Sequence, residues 1–323
     1  MKRKTLSLRE EKQEKLFAEA FQILRRTKVN NNLSEKTIIH YDGIYELFRN
    51  YLSNADETYC SDITTDDIEG FIEFLKKRNP NIRATTINSY LRDLRTMLYY
   101  FMERGYMDRF SIKLLRVDKQ IKKVYTDNEI SLLLQKPDLK KCDFSEYRNW
   151  VITCYLLATG NRIGTVCELR IEDIDFGNSI IHLRKTKTRK AYNLPMSDAL
   201  EKILTEYMQY RKGESTDFLF CNKYGDRLQE SSLNTAIYRY NRRKGVIKTS
   251  AHLYRNTFAK MYLTKGGDIA RLQKLLCHST PTMSLQYADM YEDELDYNFV
   301  ERNPLDIHMK DIKNNKALNM AKK

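Results

Sequence analysis

The chain has 323 residues, room for about two domains of ordinary size. A hydrophobic share of 41% argues against wholesale disorder, and only 5 prolines and 11 glycines argue against long linkers and low-complexity tracts. Lysine and arginine number 56 against 43 acidic residues, for a formal net charge of +13 and a pI of about 9.3; this balance favours a polyanionic partner over a neutral one, because each neutralised phosphate releases a counterion.

The first third reads as helices. Arg9 to Lys28 places Phe17, Phe21 and Leu24 on one face. Ser34 is an N-cap for a second helix carrying Ile38, Tyr41, Tyr45, Phe48 and Leu52. A third starts near Thr64, with Asp67 three residues later, and buries Ile68, Phe71, Ile72 and Leu75. A fourth spans Ala84 to Arg104 with Tyr90, Leu94, Met97, Leu98 and Phe101 inward, and Gly105 ends it. Residues 106–125 lose the helical period and hold six lysines and arginines with two aspartates, the pattern of a basic linker.

A second domain opens at Thr126, where Thr126 and Glu129 form a capping box. A helix through Trp150, Ile152, Tyr155 and Leu156 ends at Thr159-Gly160. Ser179–Leu183 and Ala191–Pro195 alternate as strands around the basic turn 184–190, and Phe218–Phe220 reads as a third short strand. Further helices start near Ser197, Ser231, Ala251, Asp268 and Thr282. The expected fold is mainly α with a small antiparallel β-sheet (α+β). Six scattered cysteines form neither a C-x-x-C pair nor a zinc spacing, which reads as a reduced, cytoplasmic chain without a metal site. The basic start MKRKTLSLREEKQEK has no apolar run, so no signal peptide is expected, and no stretch is long enough for a membrane span.

Five segments of the second domain stand out: ATGNRIGTVCELRIEDID with Arg162 after a Thr-Gly turn, the hairpin LRKTKTRKAYNLP with Lys187, AHLYRNTFA with His252 and Arg255 on one helix face, LQKLLCHS ending at His278, and TPTMSLQYAD with Tyr287 nine residues beyond His278. This pattern resembles the tyrosine recombinases, or phage integrase family, over residues 30–300. The resemblance implies a helical core-binding (SAM-like) DNA-binding domain at 30–107 behind an N-terminal extension at 1–29. It also implies a basic linker at 108–125, a catalytic domain at 126–300 and a C-terminal tail at 301–323.

It further implies strand cleavage through a covalent 3′-phosphotyrosine, with Tyr287 as nucleophile. Arg162 and Arg255 would grip the non-bridging oxygens of the pentacoordinate phosphorus, since guanidinium groups bind such oxygens bidentately and keep their charge. His252 would take the phenol proton, His278 would donate to a phosphate oxygen, and Lys187 would protonate the leaving 5′-oxygen. The cationic surroundings are expected to lower the pKa of Tyr287. One phosphodiester replaces another, so neither ATP, a metal nor another cofactor is required.

Each residue has a plainer reading. Tyrosines number 22, and Tyr291, one helical turn beyond Tyr287, is the rival nucleophile. Arg162 alone would be a surface residue, and His252 with Arg255 a capping pair on a core helix. Lys187 is preferred by spacing to Lys185 in a crowded basic turn that is otherwise a solvated hairpin. Arg83, Thr85, Thr86, Asn88, Arg92 and Arg95 form a polar, basic set on the fourth helix for DNA contact, with an exposed polar face as the alternative. Lys185, Arg242 and Arg243, with Lys223, Arg227, Arg239 and Lys244, are candidates for phosphate contacts. Three positions depart from the family pattern. Thr165 stands where an acidic residue is common, which either weakens the orientation of Arg162 or shifts that task to Glu168. Asn256 replaces a second His at a position not needed for the chemistry. Cys277 replaces the Gly before His278.

Leu295, Phe299 and Val300 form a short amphipathic stretch that either docks on a neighbouring protomer or packs on its own domain. The implied partners are double-stranded DNA with specific sites and a homotetramer on two duplexes, in a cytoplasmic, nucleoid-associated protein with no membrane contact. A mobile-element or phage integrase is the leading expectation. Chromosome or plasmid dimer resolution, type IB topoisomerase-like relaxation, and a DNA-binding regulator with a spent catalytic domain are the alternatives.

Overall fold

The N-terminal third folds on aromatic side chains spaced for helices. The structure is a computed structural model that describes residues 14–54, 56–118, 122–184 and 191–291. The chain divides into two units, Met1–Gln120 and Ile121–Lys323.

The first unit holds α1 (Phe17–Asn30), α2 (Glu35–Leu52), α3 (Thr65–Arg78) and α4 (Ala84–Glu103). Ser34 caps α2 by accepting from the Thr37 N–H, and Thr64 and Asp67 form the capping box of α3, as their spacing predicts. Phe17, Phe21, Phe48, Phe71, Leu91, Leu94 and Phe101 fill its core. The rings of Phe21 and Tyr45 stack at 3.9 Å.

Gly105 ends α4 at φ +74, the left-handed conformation expected of a C′ glycine. Much of the stretch read as linker from 108 is not free. Ile112 is buried in this core beside Tyr106 and Met107, with Leu114 and Leu115 packed against it. Asn88 holds that stretch: its Nδ2 donates to the Leu115 carbonyl at 2.9 Å and its Oδ1 accepts the Leu115 N–H at 2.8 Å. Basic composition hid these contacts, because the stretch is anchored by a few apolar residues between its charges.

The second unit is organised on α6 (Phe144–Thr159), which follows α5 (Asp127–Leu133). Residues on every side of α6 are buried, including Tyr147, Val151, Ile152, Tyr155 and Leu156, so it is the central helix of this unit. It packs against α8 (Asp198–Arg211), α9 (Glu230–Arg243) and α10 (Ala251–Thr264). The sheet is antiparallel in the order β1 (Ile174–Asp175), β2 (Ile180–Leu183), β3 (Tyr192–Pro195). Ile181 faces Leu194, and Leu183 faces Tyr192 at the end where the chain passes from β2 to β3. Phe218–Phe220 is not the third strand: Phe218 makes only an isolated bridge to Arg170, and the two-residue β1 completes the sheet. A run so short carries no period-2 signal. After the four-residue α7 (Ile163–Val166), α11 (Ile269–Leu275) and α12 (Pro281–Met290) close the unit on α10 through Leu263, Leu272, Leu276, Tyr287 and Tyr291. No described helix is long and apolar enough to cross a membrane.

Candidate active site

The turn that ends α6 positions the first arginine. Gly160 adopts φ +62 and gives its N–H to the Leu156 carbonyl, and a Cβ there would come within 2.7 Å of Phe258 and 2.8 Å of Leu276. Only glycine fits both the backbone and the space. Asn161 is fastened to the Tyr155 hydroxyl at 2.7 Å, so Arg162 enters α7 from a fixed frame. Arg162 lies half-buried, with Nη1 3.5 Å from the Cys277 carbonyl.

The second arginine shares that frame. His252 and Arg255 sit one turn apart on α10, capped by Ser250. Arg255 is 3% exposed, and donates to the Gly160 carbonyl at 2.9 Å and the Leu276 carbonyl at 2.7 Å. Burial, reinforced by the nearby Arg162 charge, brings its pKa down to about 10. The guanidinium therefore stays charged at neutral pH beside a second cation, an arrangement that favours an anion between them.

His278 follows Cys277, which holds φ +50, a conformation that favours glycine. The imidazole is buried, and its Nδ1 lies 2.8 Å from the buried Ser284 hydroxyl. Burial and the charges of Arg255, Arg162 and Lys122 push its pKa down to about 3, so it is neutral. His252 is shifted down too, by desolvation first and then by Arg255, Lys122 and Arg162, although its side chain reaches solvent. It is thereby held in the form that can accept a proton.

Tyr287 is 2% exposed on α12. Its hydroxyl donates to Asn256 Oδ1 at 2.9 Å, its ring lies parallel to His278 at 6.3 Å between centroids, and Lys122 Nζ stands 3.9 Å from the ring centroid. The expected downward pKa shift is not found. Burial raises the phenol's pKa, and the opposing pull of Arg255 and Arg162 does not overcome it. Tyr291 is also buried, but its hydroxyl goes to the Lys122 carbonyl at 3.3 Å.

The structure thus gathers Arg162, Arg255, His278 and Tyr287 around the turn between α11 and α12, with His252 within electrostatic reach. Lys187 and Lys185 lie outside the described residues, as do Leu295, Phe299 and Val300. Sequence reasoning missed three neighbours of the phenol and imidazole. Asn256 was set aside as unneeded, yet it receives the Tyr287 hydroxyl. Lys122 sat in an undifferentiated basic run. Ser284 precedes Tyr287 by three residues on one helix, a spacing that places it on the same face and was readable in advance. Glu168 pairs with Arg227, a surface cation proposed for phosphate.

Of the polar set on the fourth helix, Arg83, Thr85, Thr86 and Arg92 are exposed and Arg95 is half-buried. Asn88 is 4% exposed with both amide ends used on Leu115, so it is a structural residue and leaves the DNA-contact set. Arg242 and Arg243 are exposed at the end of α9, where Arg242 lies over the Tyr238 ring.

A family model described as the phage integrase family matches residues 123–294, and one described as the phage integrase SAM-like domain matches residues 16–119. The chain is 25% identical over 294 residues to the tyrosine recombinase XerC of Oceanobacillus iheyensis, covering 86% of this chain and 93% of that protein. It is 26% identical over 264 residues to the tyrosine recombinase XerA of Pyrococcus horikoshii, covering 79% and 88%. Among solved structures, the Tn1549 transposon integrase in complex with a circular intermediate DNA aligns with a TM-score of 0.69 at 19% identity over 86% of this chain and 98% of that one. A lambda integrase dimer bound to a COC′ core site aligns at 0.67 and 18% identity, over 86% and 78%. These structures share the fold, helical with a small antiparallel sheet.

Proposed function

The chain belongs to the phage integrase family and is a tyrosine recombinase, an enzyme of site-specific DNA recombination; on that premise we propose that Tyr287 is its nucleophile and that it serves integration and excision of a mobile element or phage. The observation that carries the assignment is one buried phenol lying against His278 and hydrogen-bonded to the residue that follows Arg255.

In this reading the Tyr287 oxygen attacks a backbone phosphorus, forming the P–O bond of a 3′-phosphotyrosine as the P–O5′ bond breaks. His252, kept neutral by its surroundings, accepts the phenol proton. Arg162 and Arg255 meet the charge that grows on the non-bridging oxygens. His278 donates a further hydrogen bond there, and Lys187 gives a proton to the departing 5′-oxygen. The free 5′-hydroxyl of a second strand reverses the steps.

The partner is double-stranded DNA carrying the recombination site. Arg83, Thr86, Arg92 and Arg95 from one unit and Lys185, Arg242 and Arg243 from the other supply contacts to it. Exchange of four strands calls for four active sites, hence a homotetramer on two duplexes. A lambda integrase tetramer bound to a Holliday junction is among the structural neighbours. A cytoplasmic, nucleoid-associated location follows from that substrate. The domain limits 30–107 and 126–300 belong to the same reading, with the core-binding part contacting DNA and the catalytic part cutting it.

The test is a nicked suicide substrate built from the ends of the element that carries the gene. Wild-type protein is trapped on the 3′-phosphate, and Tyr287→Phe abolishes trapping while retaining DNA binding. An adduct that persists in Tyr287→Phe moves the nucleophile to another residue, Tyr291 first. Trapping only on a chromosomal or plasmid dimer site replaces the mobile-element role by dimer resolution.

A further inference from the structure

We propose that Asn256 is a positioning residue that holds Tyr287 as a neutral, proton-donating phenol, and that the segment Lys122–Tyr125 sets this by fixing which end of the Asn256 amide faces the phenol. The inference rests on Tyr287 being the nucleophile and adds what restrains it.

The argument is one of donors and acceptors. Asn256 Nδ2 donates to the Lys123 carbonyl at 3.2 Å. A carbonyl can only accept, so that contact assigns the amide: nitrogen toward Lys123, oxygen toward Tyr287. The oxygen at 2.9 Å then requires the Tyr287 hydroxyl to keep its proton and donate it. A phenolate at that distance would face a carbonyl oxygen, two acceptors with no proton between them. Asn256 is buried, so water does not replace either partner.

Three further contacts hold the segment beside α10 and α12. The Tyr125 N–H donates to Thr257 Oγ1 at 2.9 Å, the Lys122 carbonyl accepts the Tyr291 hydroxyl, and Lys122 Nζ lies over the Tyr287 ring. The charged and titratable groups facing the phenol are Lys122 from this segment, Arg255 from α10, Arg162 ahead of α7, and His278 from the turn before α12. Arg255 and Arg162 favour phenolate, burial opposes them, and the Asn256 oxygen adds to that opposition. Residues 122–125 are where the chain enters the second unit, directly after the stretch that ends the first. Withdrawal of the Lys123 carbonyl would let the amide turn and offer Nδ2 to the phenolate, converting a restraint into a stabiliser.

The experiment places 3,5-difluorotyrosine at position 287 of the full chain, free of DNA, and follows its ionisation by fluorine NMR. In Asn256→Ala the midpoint falls by about one pH unit, the size of one neutral hydrogen bond lost from the protonated form. In Asn256→Asp, which keeps the acceptor and adds charge, it rises. A midpoint in Asn256→Ala at or above that of the parent, or one in Asn256→Asp no higher than the parent, overturns the proposal. The spectrum reports whether each variant is folded, so a collapsed variant leaves the other to decide. If Tyr287→Phe still forms a covalent adduct, the nucleophile assignment fails while the ionisation shifts stand by themselves.

Discussion

Arg255 gives one N–H to the carbonyl of Gly160, the residue that ends α6 two positions before Arg162. That bond ties one guanidinium to the backbone turn that presents the other, across 95 positions of chain. The next donor of Arg255 goes to Leu276, and Arg162 points at the neighbouring Cys277 carbonyl. Both guanidiniums are thus registered against the same short turn before any substrate is present. Preorganisation of this kind is where electrostatic catalysis gains most, because the charges need not reorganise during reaction.

Gly160→Ala tests that frame. The new methyl would meet Phe258 and Leu276 at under 3 Å, and φ +62 adds backbone strain. The left-handed conformation costs a non-glycine residue roughly 1–2 kcal/mol, and overpacking adds about 1–3. We expect a lower denaturation midpoint by urea titration and single-turnover cleavage reduced more than DNA affinity. Unchanged cleavage in a destabilised variant would show that the turn serves stability alone.

Cys277 gives a sharper comparison. At φ +50 a side chain is disfavoured, yet the thiol is buried in the main core of its unit. Cys277→Ala loses that burial and keeps the strain; Cys277→Gly loses the burial and relieves the strain, worth about 1 kcal/mol. Glycine should therefore be the more stable of the two replacements, the reverse of the usual order at a buried site, as read from their urea midpoints. Alanine equal to or above glycine would mean that the turn relaxes out of the left-handed region.

Much of this architecture was legible in the sequence. Ser34, Thr64, Thr126, Ser197 and Asp268 all stand at helix starts, because a cap is a local arrangement written in adjacent residues. The candidate site residues stand in ordered motifs, and four of them, Arg162, Arg255, His278 and Tyr287, meet around one turn. What stayed hidden depends on tertiary placement. Asn88 looked like part of an exposed polar face because the strand of chain it fastens lies 27 residues away. The roles of Asn256 and Lys122 depend on contacts between a chain entry point and two distant helices. The sign of the Tyr287 shift turned on burial, which a list of nearby cations cannot weigh.

The pH dependence of stability follows from His278. Its pKa falls from 6.5 to about 3, chiefly through burial and then through Arg255, Arg162 and Lys122. Between those values the unfolded chain takes up a proton that the folded protein refuses. Stability is therefore complete above pH 6.5 and declines below it, at up to about 1.4 kcal/mol per pH unit for one proton. His252, also shifted down, acts in the same direction. Replacing His278 by glutamine removes its share and leaves that of His252. The loss of stability from pH 7 to 5, measured by urea titration, should be smaller in His278→Gln than in the parent by roughly 1–2 kcal/mol. The Ser284 hydroxyl enters through the tautomer. For Nε2 to carry the hydrogen that a phosphate oxygen would receive, Nδ1 must accept from Ser284. Ser284→Ala should therefore lower single-turnover cleavage about 10-fold or more, with Ser284→Thr recovering part of it. Parallel acid profiles in parent and His278→Gln would show that the folded imidazole takes up its proton as readily as the unfolded one, and the depression of its pKa by burial would fall with it.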